Sequence, residues 1–167
     1  LRDVVNKVDE INFASSDDIH TMAHLYESML KEMRDAAGDS GEFYTPRPVI
    51  RFMVQQVGPQ LGEIVSDPAC GTGGFLVEAL EELEPKVETT QQLRKLHESL
   101  RGVEKKPLPH LLCTTNMILH GLDVPTNVRH DNTLARPLRD YGPRDRVDVI
   151  VTNPPFGGME EDGIENN

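Results

Sequence analysis

The sequence has no tryptophan and only two cysteines in 167 residues. Two cysteines, Cys70 and Cys113, cannot form the disulfide framework of a small secreted protein, so we expect a reducing cytoplasm. No run approaches the roughly eighteen apolar residues that a membrane-spanning helix needs. The start at Leu1 lacks a methionine and the layout of a signal peptide, and it looks like a cut in a longer chain.

Basic residues are also scarce. The chain has 17 lysines and arginines against 28 aspartates and glutamates, which gives a net charge of -11. A protein that grips DNA neutralises phosphates with lysine and arginine, so this balance argues against DNA binding by the chain alone. An acidic enzyme of nucleic acids needs a basic partner or a further basic domain. The hydrophobic content of 37% fits one globular domain with a core.

Hydrophobic periodicity predicts helices that alternate with short apolar strands. A first helix begins at Ser16 or Asp17 and ends at Gly38, where a short linker follows. Strands are predicted at 63–67, 100–104, 127–131 and 147–152, and the intervening helices end near Gly58, Pro85, residue 99 and Gly121. This order predicts an α/β fold with a parallel sheet and helices on both of its faces.

A glycine-rich segment at 67–75, Asp-Pro-Ala-Cys-Gly-Thr-Gly-Gly-Phe, follows the first strand and opens a helix. Glycines let the main chain turn tightly and pass close to a nucleotide-like ligand beyond the carboxyl end of a strand. A tight turn without a ligand would use the same glycines. The loop lacks the Lys-Ser/Thr ending of a phosphate-binding P-loop, so it favours an adenosine ligand without phosphates over ATP.

An acidic residue stands at the end of each of the next two strands. At the end of the second strand, the Glu104 carboxylate can accept hydrogen bonds from both ribose hydroxyls of a ligand. At the end of the third, Asp131 can accept a hydrogen bond from an adenine amino group. A solvated strand-end charge for Glu104 and an aspartate turn for Asp131 are alternatives that these residues alone leave open.

The most specific motif is Asn153-Pro154-Pro155-Phe156, which follows the most strongly predicted strand. The exocyclic amine of adenine is a poor nucleophile because its lone pair is delocalised into the ring. An acceptor on Asn153 and the carbonyl of Pro154 can take both N–H groups, which encourages the nitrogen to pyramidalise towards a methyl sulfonium. The prolines fix these acceptors in place, and Phe156 offers a face on which an extruded base can stack.

With these motifs in this order, the chain resembles the methylation subunit of type I restriction–modification systems, within the N6-adenine DNA methyltransferases. The matching segments are Gly-Glu-Phe-Tyr-Thr-Pro-Arg at 41–47, the glycine loop at 67–75, and 153–156. Their order is that of the family's γ-type arrangement. The resemblance implies an enzyme that transfers a methyl group directly from S-adenosylmethionine to adenine N6 in DNA.

The resemblance also implies roles for individual residues. It assigns catalysis to Asn153, Pro154, Pro155 and Phe156, and cofactor binding to Tyr44, Thr45, Pro46, Asp67, Ala69, Gly71, Gly73, Glu104 and Asp131. Cys70 is expected to be a small buried residue, because direct transfer to an amine needs no covalent intermediate. No metal is expected, since His20 and His24 share a helix face but lack the glutamate of the zinc-protease pattern and a third ligand.

The expected fold is a Rossmann-like S-adenosylmethionine-dependent methyltransferase sheet, its N-terminal part only, preceded by a helical segment. By the resemblance, residues 1–40 are the end of an N-terminal helical domain and linker, and residues 41–167 are the N-terminal part of the catalytic domain. The family's sheet has three further strands, so the chain stops where a central strand would be left as an edge. We expect this edge to be buried against another chain or an ordered tail.

The resemblance implies four partners: DNA, a specificity subunit that reads the sequence, a restriction subunit and a second copy of the methylation subunit. The setting would be the cytoplasm of a bacterium or archaeon, with no membrane involved. Two other functions stay open. The glutamine methyltransferases of release factors share the Asn-Pro-Pro-aromatic exit, although the Phe-Tyr-Thr-Pro segment at 43–46 favours adenine. A non-catalytic assembly module would differ by failing to bind S-adenosylmethionine.

Overall fold

A computed structural model describes residues 16–37, 45–122, 125–157 and 164. Within these ranges the helices are α1 (Ser16–Ala37), α2 (Arg47–Val57), α3 (Gly74–Leu83), α4 (Thr90–Ser99) and α5 (Pro107–Leu119). The strands are β1 (Val65–Asp67), β2 (Leu100–Glu104), β3 (Val128–His130) and β4 (Val149–Ile150). The expected linker at 38–41 lies outside the described residues.

The four strands form one parallel sheet in the order β3-β2-β1-β4. β1 pairs with β2 on one side, with Val65 opposite Leu100, and with β4 on the other, with Val65 opposite Val149. Parallel neighbours place all carboxyl ends at the same edge of the sheet, so the segments that follow β1, β2, β3 and β4 can converge there. The predicted α/β class with a parallel sheet is confirmed.

The core lies between the sheet and α3, which follows the glycine loop. Leu76, Leu80 and Leu83 of this helix are fully buried, and they belong to one apolar cluster with residues of the strands and of α2, α4 and α5. Burying a leucine side chain contributes roughly 1.5–3 kcal/mol, so α3 fixes the end of the glycine loop firmly to the sheet.

Helix α1 packs against α5 through a buried stripe and long-range hydrogen bonds. Ala23 and Leu30 are buried at a helical spacing. The hydroxyl of Tyr26 donates to the carbonyl of Leu112 at 2.9 Å, and burial raises the pKa of Tyr26 to about 12. The helical segment that precedes the sheet is therefore packed against helix α5.

Helices α3, α4 and α5 contact the strands and α3 contacts the other two, so they form one layer. The prediction of helices on both faces is not met within the described ranges. Residues on the opposite face, such as Arg101, Arg129 and Ile150, are half-buried or exposed. The β3–β4 connection consists of three single-turn 3-10 helices, Thr133–Ala135, Leu138–Asp140 and Pro143–Asp145, and these turns are too short to lay a helix against that face.

Strand β4 is shorter than the predicted 147–152 and, of the strands described, pairs only with β1. Backbone contact continues past its ends: the amide of Val151 donates to the Ser66 carbonyl at 3.1 Å. Before the strand, the Asp148 carboxylate accepts a hydrogen bond from the Ile64 amide at 2.8 Å. No helix in the described ranges is both long and apolar enough to cross a membrane.

Candidate functional site

The glycine loop connects β1 to α3 through two residues with positive φ. Gly71 has φ of 54° and Gly73, which caps α3, has φ of 84°. A Cβ placed on Gly73 would stand 2.7 Å from the sulfur of Cys113 on α5. Both the backbone conformation and the close approach of α5 require glycine at this position.

A cleft of about 440 Å³, which includes space open to solvent, lies over this loop. The lining residues come from α1, α2, the glycine loop, α3 and the segment after β4: Glu27, Thr45, Arg47, Ile50, Asp67, Ala69, Cys70, Gly71, Thr72, Gly74, Phe75 and Asn153. The structure thus brings five of the predicted site residues to one cleft, namely Thr45, Asp67, Ala69, Gly71 and Asn153.

Asp67 ends β1 and lies almost completely buried at the floor of this cleft. Its Oδ1 accepts a hydrogen bond from the Ala69 amide at 3.1 Å. Burial raises the pKa of Asp67 to about 6, because the ionised form loses water that this hydrogen bond does not fully replace. The group is therefore an acceptor that gains from a cation or a further donor in the cleft.

Glu104 ends β2 directly behind the glycine loop. Its Oε2 accepts from the Gly71 amide at 2.9 Å and its Oε1 from the Lys106 amide at 2.7 Å. The side chain is buried and does not line the cleft. Each carboxylate oxygen has a second lone pair, so Glu104 can hold the loop and still accept from a ligand.

Asp131 follows β3 and stands apart from the cleft with a half-exposed side chain. Its Oδ1 accepts from the Asn132 amide at 2.8 Å, and its Oδ2 lies 3.5 Å from a guanidinium nitrogen of Arg129. Both contacts are local, to residues within two positions of Asp131. The backbone amide of Asp131 also donates to the Glu104 carbonyl at 3.1 Å, which keeps the two strand ends adjacent.

The segment at 153–156 follows β4, and its first residue, Asn153, lines the cleft. The Asn153 side-chain amide donates to the hydroxyl of Thr45 at 3.1 Å. Pro154, Pro155 and Phe156 are exposed, and the Phe156 ring is fully so. An apolar ring without a packing partner in the described structure is available to a planar ligand.

Thr45 and Pro46 stand at the start of α2, while Tyr44 lies outside the described residues. Pro46 is the N-cap, and its carbonyl accepts from the amides of Val49 at 2.9 Å and Ile50 at 3.2 Å. The predicted Thr-Pro segment therefore begins a helix at the rim of the cleft and presents the Thr45 hydroxyl to Asn153.

Two charged residues that line the cleft, Arg47 and Glu27, are not among the predicted site residues. Arg47 belongs to the matched segment at 41–47, and its guanidinium donates to the Gly74 carbonyl at 2.8 Å. Glu27 lies on α1, where no motif marks it, and its carboxylate accepts from Nε of Arg47 at 2.8 Å. The position of Arg47 between two prolines in a matched segment could have identified it as a site residue. Nothing in the local sequence distinguishes Glu27 from its helical neighbours.

Cys70 and Cys113 are buried free thiols with their sulfurs 3.8 Å apart. The hydrogen bond between them and burial raise the pKa of the Cys70 thiol, so it is not a ready nucleophile. The expectation of a small buried residue is confirmed. Among the described residues no group of three histidines, cysteines or acids could hold a metal, and His20's side chain lies outside that description.

The sequence is similar to those of known proteins. A family model described as N-6 DNA Methylase matches residues 17–167. The chain belongs to the N-6 DNA methylase family. The type I restriction enzyme EcoEI methylase subunit of Escherichia coli is 56% identical over 168 residues, which cover 100% of this chain and 34% of that protein. The resemblance to the methylation subunit of type I systems is confirmed.

Solved structures agree with the family. A modification subunit assigned to a type I restriction enzyme from Vibrio vulnificus YJ016 matches with a TM-score of 0.82 and 60% identity, over 98% of this chain and 34% of that one. A second solved structure concerns complex assembly and conformational transition of the type I R-M system, and it matches with a TM-score of 0.90 and 50% identity. The match covers 98% of this chain and 33% of that one. The chain spans about a third of the length of these relatives.

Proposed function

We propose that the protein transfers a methyl group from S-adenosylmethionine to the N6 amino group of adenine in DNA, as the modification subunit of a type I restriction–modification complex. The single observation that carries the proposal is the hydrogen bond from Asn153 to Thr45. This contact joins Asn153 to Thr45, and both residues line the cleft over the glycine loop. An acceptor for an amine and a pocket for a methyl donor therefore meet at one edge of the sheet.

The charges of the cleft suit S-adenosylmethionine. Of the described residues that line it, Glu27 and Asp67 are acidic and Arg47 is the single base. The Arg47 guanidinium is already held by Glu27 and by the Gly74 carbonyl, which leaves little for a triphosphate. A ligand with an ammonium and a sulfonium is attracted by the Asp67 carboxylate, since the Glu27 carboxylate is already bound by Arg47. When bound, this donor supplies an electrophilic methyl group.

The chain's own residues prepare the amine. Because the Asn153 amide nitrogen donates to Thr45, its Oδ1 is the atom left to accept from the target amino group. The carbonyl of Pro154 offers a second acceptor, and the two prolines hold the backbone rigid. Two acceptors on the N–H groups localise the nitrogen lone pair and favour a pyramidal amine. These acceptors are fixed before the target arrives, which is the condition for electrostatic preorganisation.

The exposed ring of Phe156 can stack on an adenine that has left the duplex. Five further residues are proposed to bind the cofactor on the strength of the family resemblance: Tyr44, Pro46, Gly73, Glu104 and Asp131. Pro155 and Phe156 complete the proposed catalytic motif. Residues 1–40 and 41–167 stay proposed as the end of an N-terminal helical domain and the first part of the catalytic domain.

The charge of the chain supports the proposed partners. A net charge of -11 cannot hold DNA by itself, so a specificity subunit with basic surfaces would carry the duplex to the cleft. A second copy of the methylation subunit and a restriction subunit would complete the assembly in the cytoplasm. β4, which among the described strands pairs only with β1, leaves a strand edge for further pairing.

The test uses the complete methylation and specificity subunits with methyl-labelled S-adenosylmethionine and duplex DNA. Nucleosides from the digested DNA are separated by mass spectrometry. Labelled N6-methyldeoxyadenosine is the expected product. Label found only on a protein glutamine would support the release-factor alternative, and absence of cofactor binding by calorimetry would support a non-catalytic assembly module. Either result would overturn the proposal.

A further inference from the structure

A carboxylate on α1 reaches the wall of the cleft although no part of the proposed chemistry uses it. Glu27 lines the cleft with a side chain that is 19% exposed. Its Oε2 accepts from Nε of Arg47 at 2.8 Å. Its Oε1 accepts from Nη2 of Arg47 and from the side-chain amide of Asn116 at 3.0 Å. One carboxylate thus joins α1, α2 and α5.

Both donors that bind Glu27 also bind the glycine loop. Arg47 donates through Nη1 to the Gly74 carbonyl at 2.8 Å. Asn116, which is fully buried, donates to the Thr72 carbonyl at 3.0 Å. These two carbonyls flank Gly73, which caps α3 with a φ of 84°. The loop is held from both sides by side chains that Glu27 holds in turn.

Charge favours this arrangement. Burial pushes the pKa of Glu27 upward, but the hydrogen bonds and charge of Arg47, with the Asn116 hydrogen bond, hold it below its ordinary value. The carboxylate is therefore ionised at neutral pH. A planar guanidinium that donates to a carboxylate through two nitrogens keeps one orientation, so its third nitrogen points at a fixed place. Here that place is the Gly74 carbonyl.

We propose that Glu27 is a positioning residue of the cofactor cleft: it orients Arg47 and Asn116, and through them the docking of α1 sets the shape of the glycine loop. The proposal rests on the proposed function, because it takes the cleft to hold the cofactor. It extends that function to a helix outside the three matched motifs. A change in how α1 packs would then alter cofactor affinity without touching the cofactor.

The test compares Glu27→Gln with Glu32→Gln in the complete methylation complex. Glu32 is an exposed glutamate five residues further along α1, so its variant controls for the loss of one charge from this helix. Initial rates are measured against S-adenosylmethionine concentration, well below the unfolding temperature of every variant. A lost charge-assisted hydrogen bond predicts a rise in KM of about tenfold for Glu27→Gln, with kcat within about threefold of wild type. Glu32→Gln is expected to keep the wild-type KM.

A lower unfolding temperature for Glu27→Gln with an unchanged KM would show a merely structural role and overturn the proposal. So would a fall in kcat with KM unchanged. Arg47→Lys supplies a second variant, because lysine keeps the charge but cannot bind Glu27 and Gly74 in one fixed geometry. The double variant is expected to weaken cofactor binding no more than the stronger single variant does, whereas additive losses would contradict coupling through Arg47.

The two proposals fail in different ways. If wild type neither binds S-adenosylmethionine in calorimetry nor methylates DNA, the proposed function fails. If wild type does both and Glu27→Gln binds the cofactor equally well, only the positioning role fails. If Glu27→Gln does not fold, Arg47→Lys decides alone: a folded Arg47→Lys with wild-type KM would overturn the positioning role, and one with raised KM would support it.

Discussion

The side-chain amide of Asn153 donates a hydrogen bond to the hydroxyl of Thr45 at 3.1 Å, across 108 positions of the chain. Asn153 follows β4, an edge strand of the described sheet, and Thr45 precedes the N-cap of helix α2. The bond selects which atom of the Asn153 carboxamide points away from Thr45. It therefore couples two motifs that stand at opposite ends of the sequence.

Removal of the Thr45 hydroxyl tests this coupling. Thr45→Val keeps the shape of the side chain but frees the Asn153 amide to rotate, and we expect kcat for adenine methylation to fall by about two- to tenfold, the worth of one neutral hydrogen bond. Thr45→Ser retains the acceptor and is expected to stay near wild type. Single-turnover rates at saturating S-adenosylmethionine provide the measurement. Equal rates for Thr45→Val and Thr45→Ser would refute an orienting role.

The raised pKa of Asp67 predicts that the free energy of unfolding depends on pH. Folding raises its pKa from 3.8 to about 6, so the folded state binds the proton more tightly than the unfolded state does. The stability that this group contributes is greatest below the unfolded pKa and is lost as pH rises through the folded pKa. The total change is at most about 3 kcal/mol. Asp67→Asn cannot titrate, so its stability relative to wild type is expected to increase between about pH 4 and pH 7.

Denaturant unfolding of the complete protein at several pH values measures this difference. Asp140→Asn, at an exposed position of the β3–β4 connection, serves as the control. The same Asp67→Asn variant is expected to lose cofactor affinity, because the buried carboxylate no longer attracts a cation in the cleft. A constant stability difference across the pH range would show that the Asp67 carboxyl is not perturbed.

The glycine loop predicts unequal costs for two glycine substitutions. Gly62 and Gly73 both have positive φ, of 97° and 84°, but a Cβ at Gly62 meets nothing within 4 Å while one at Gly73 meets Cys113. Gly62→Ala is expected to cost about 1–2 kcal/mol for its backbone alone. Gly73→Ala adds overpacking of about 1–3 kcal/mol, and Cys113→Ala in the same chain should recover part of that. Equal costs for both glycines would contradict the packing described here.

Substitution of Phe156 is expected to change adenine methylation without changing the stability of the protein. The Phe156 ring is fully exposed, so Phe156→Ala should leave the unfolding temperature unchanged. The loss of base stacking, about 1–3 kcal/mol, predicts a fall in adenine methylation of roughly five- to 150-fold. Phe156→Tyr keeps an aromatic face and is expected to retain most activity. Full activity in Phe156→Ala would show that the ring does not receive the base.

Local patterns predicted the elements that pack by local rules. β2 has the predicted bounds, Leu100–Glu104, because its apolar residues lie inside the sheet between two neighbours. β4 is shorter than its apolar run at 147–152, and β1 is shorter than the predicted 63–67 although it has two neighbours, since apolar content records burial and not backbone pairing. The absence of helices on the second face, within the described ranges, follows from the β3–β4 connection, which holds only single-turn 3-10 helices.

The candidate site divides in the same manner. Asp67, Ala69 and Gly71 reached the cleft because a strand, a turn and a helix fix their places locally. Glu27 was missed because its partners, Arg47 and Asn116, lie 20 and 89 positions away. Long-range pairing of that kind leaves no periodic trace in the sequence.

Asn153→Ala in the complete complex is the most direct measurement of whether the Asn153 acceptor at the cofactor cleft activates adenine. Calorimetry first establishes that the variant binds S-adenosylmethionine as wild type does, and digestion of the DNA then quantifies N6-methyldeoxyadenosine. Loss of a preorganised transition-state contact predicts a fall in methylation of about a hundredfold or more with cofactor affinity intact. Adenine methylation near the wild-type rate would contradict the role given to Asn153.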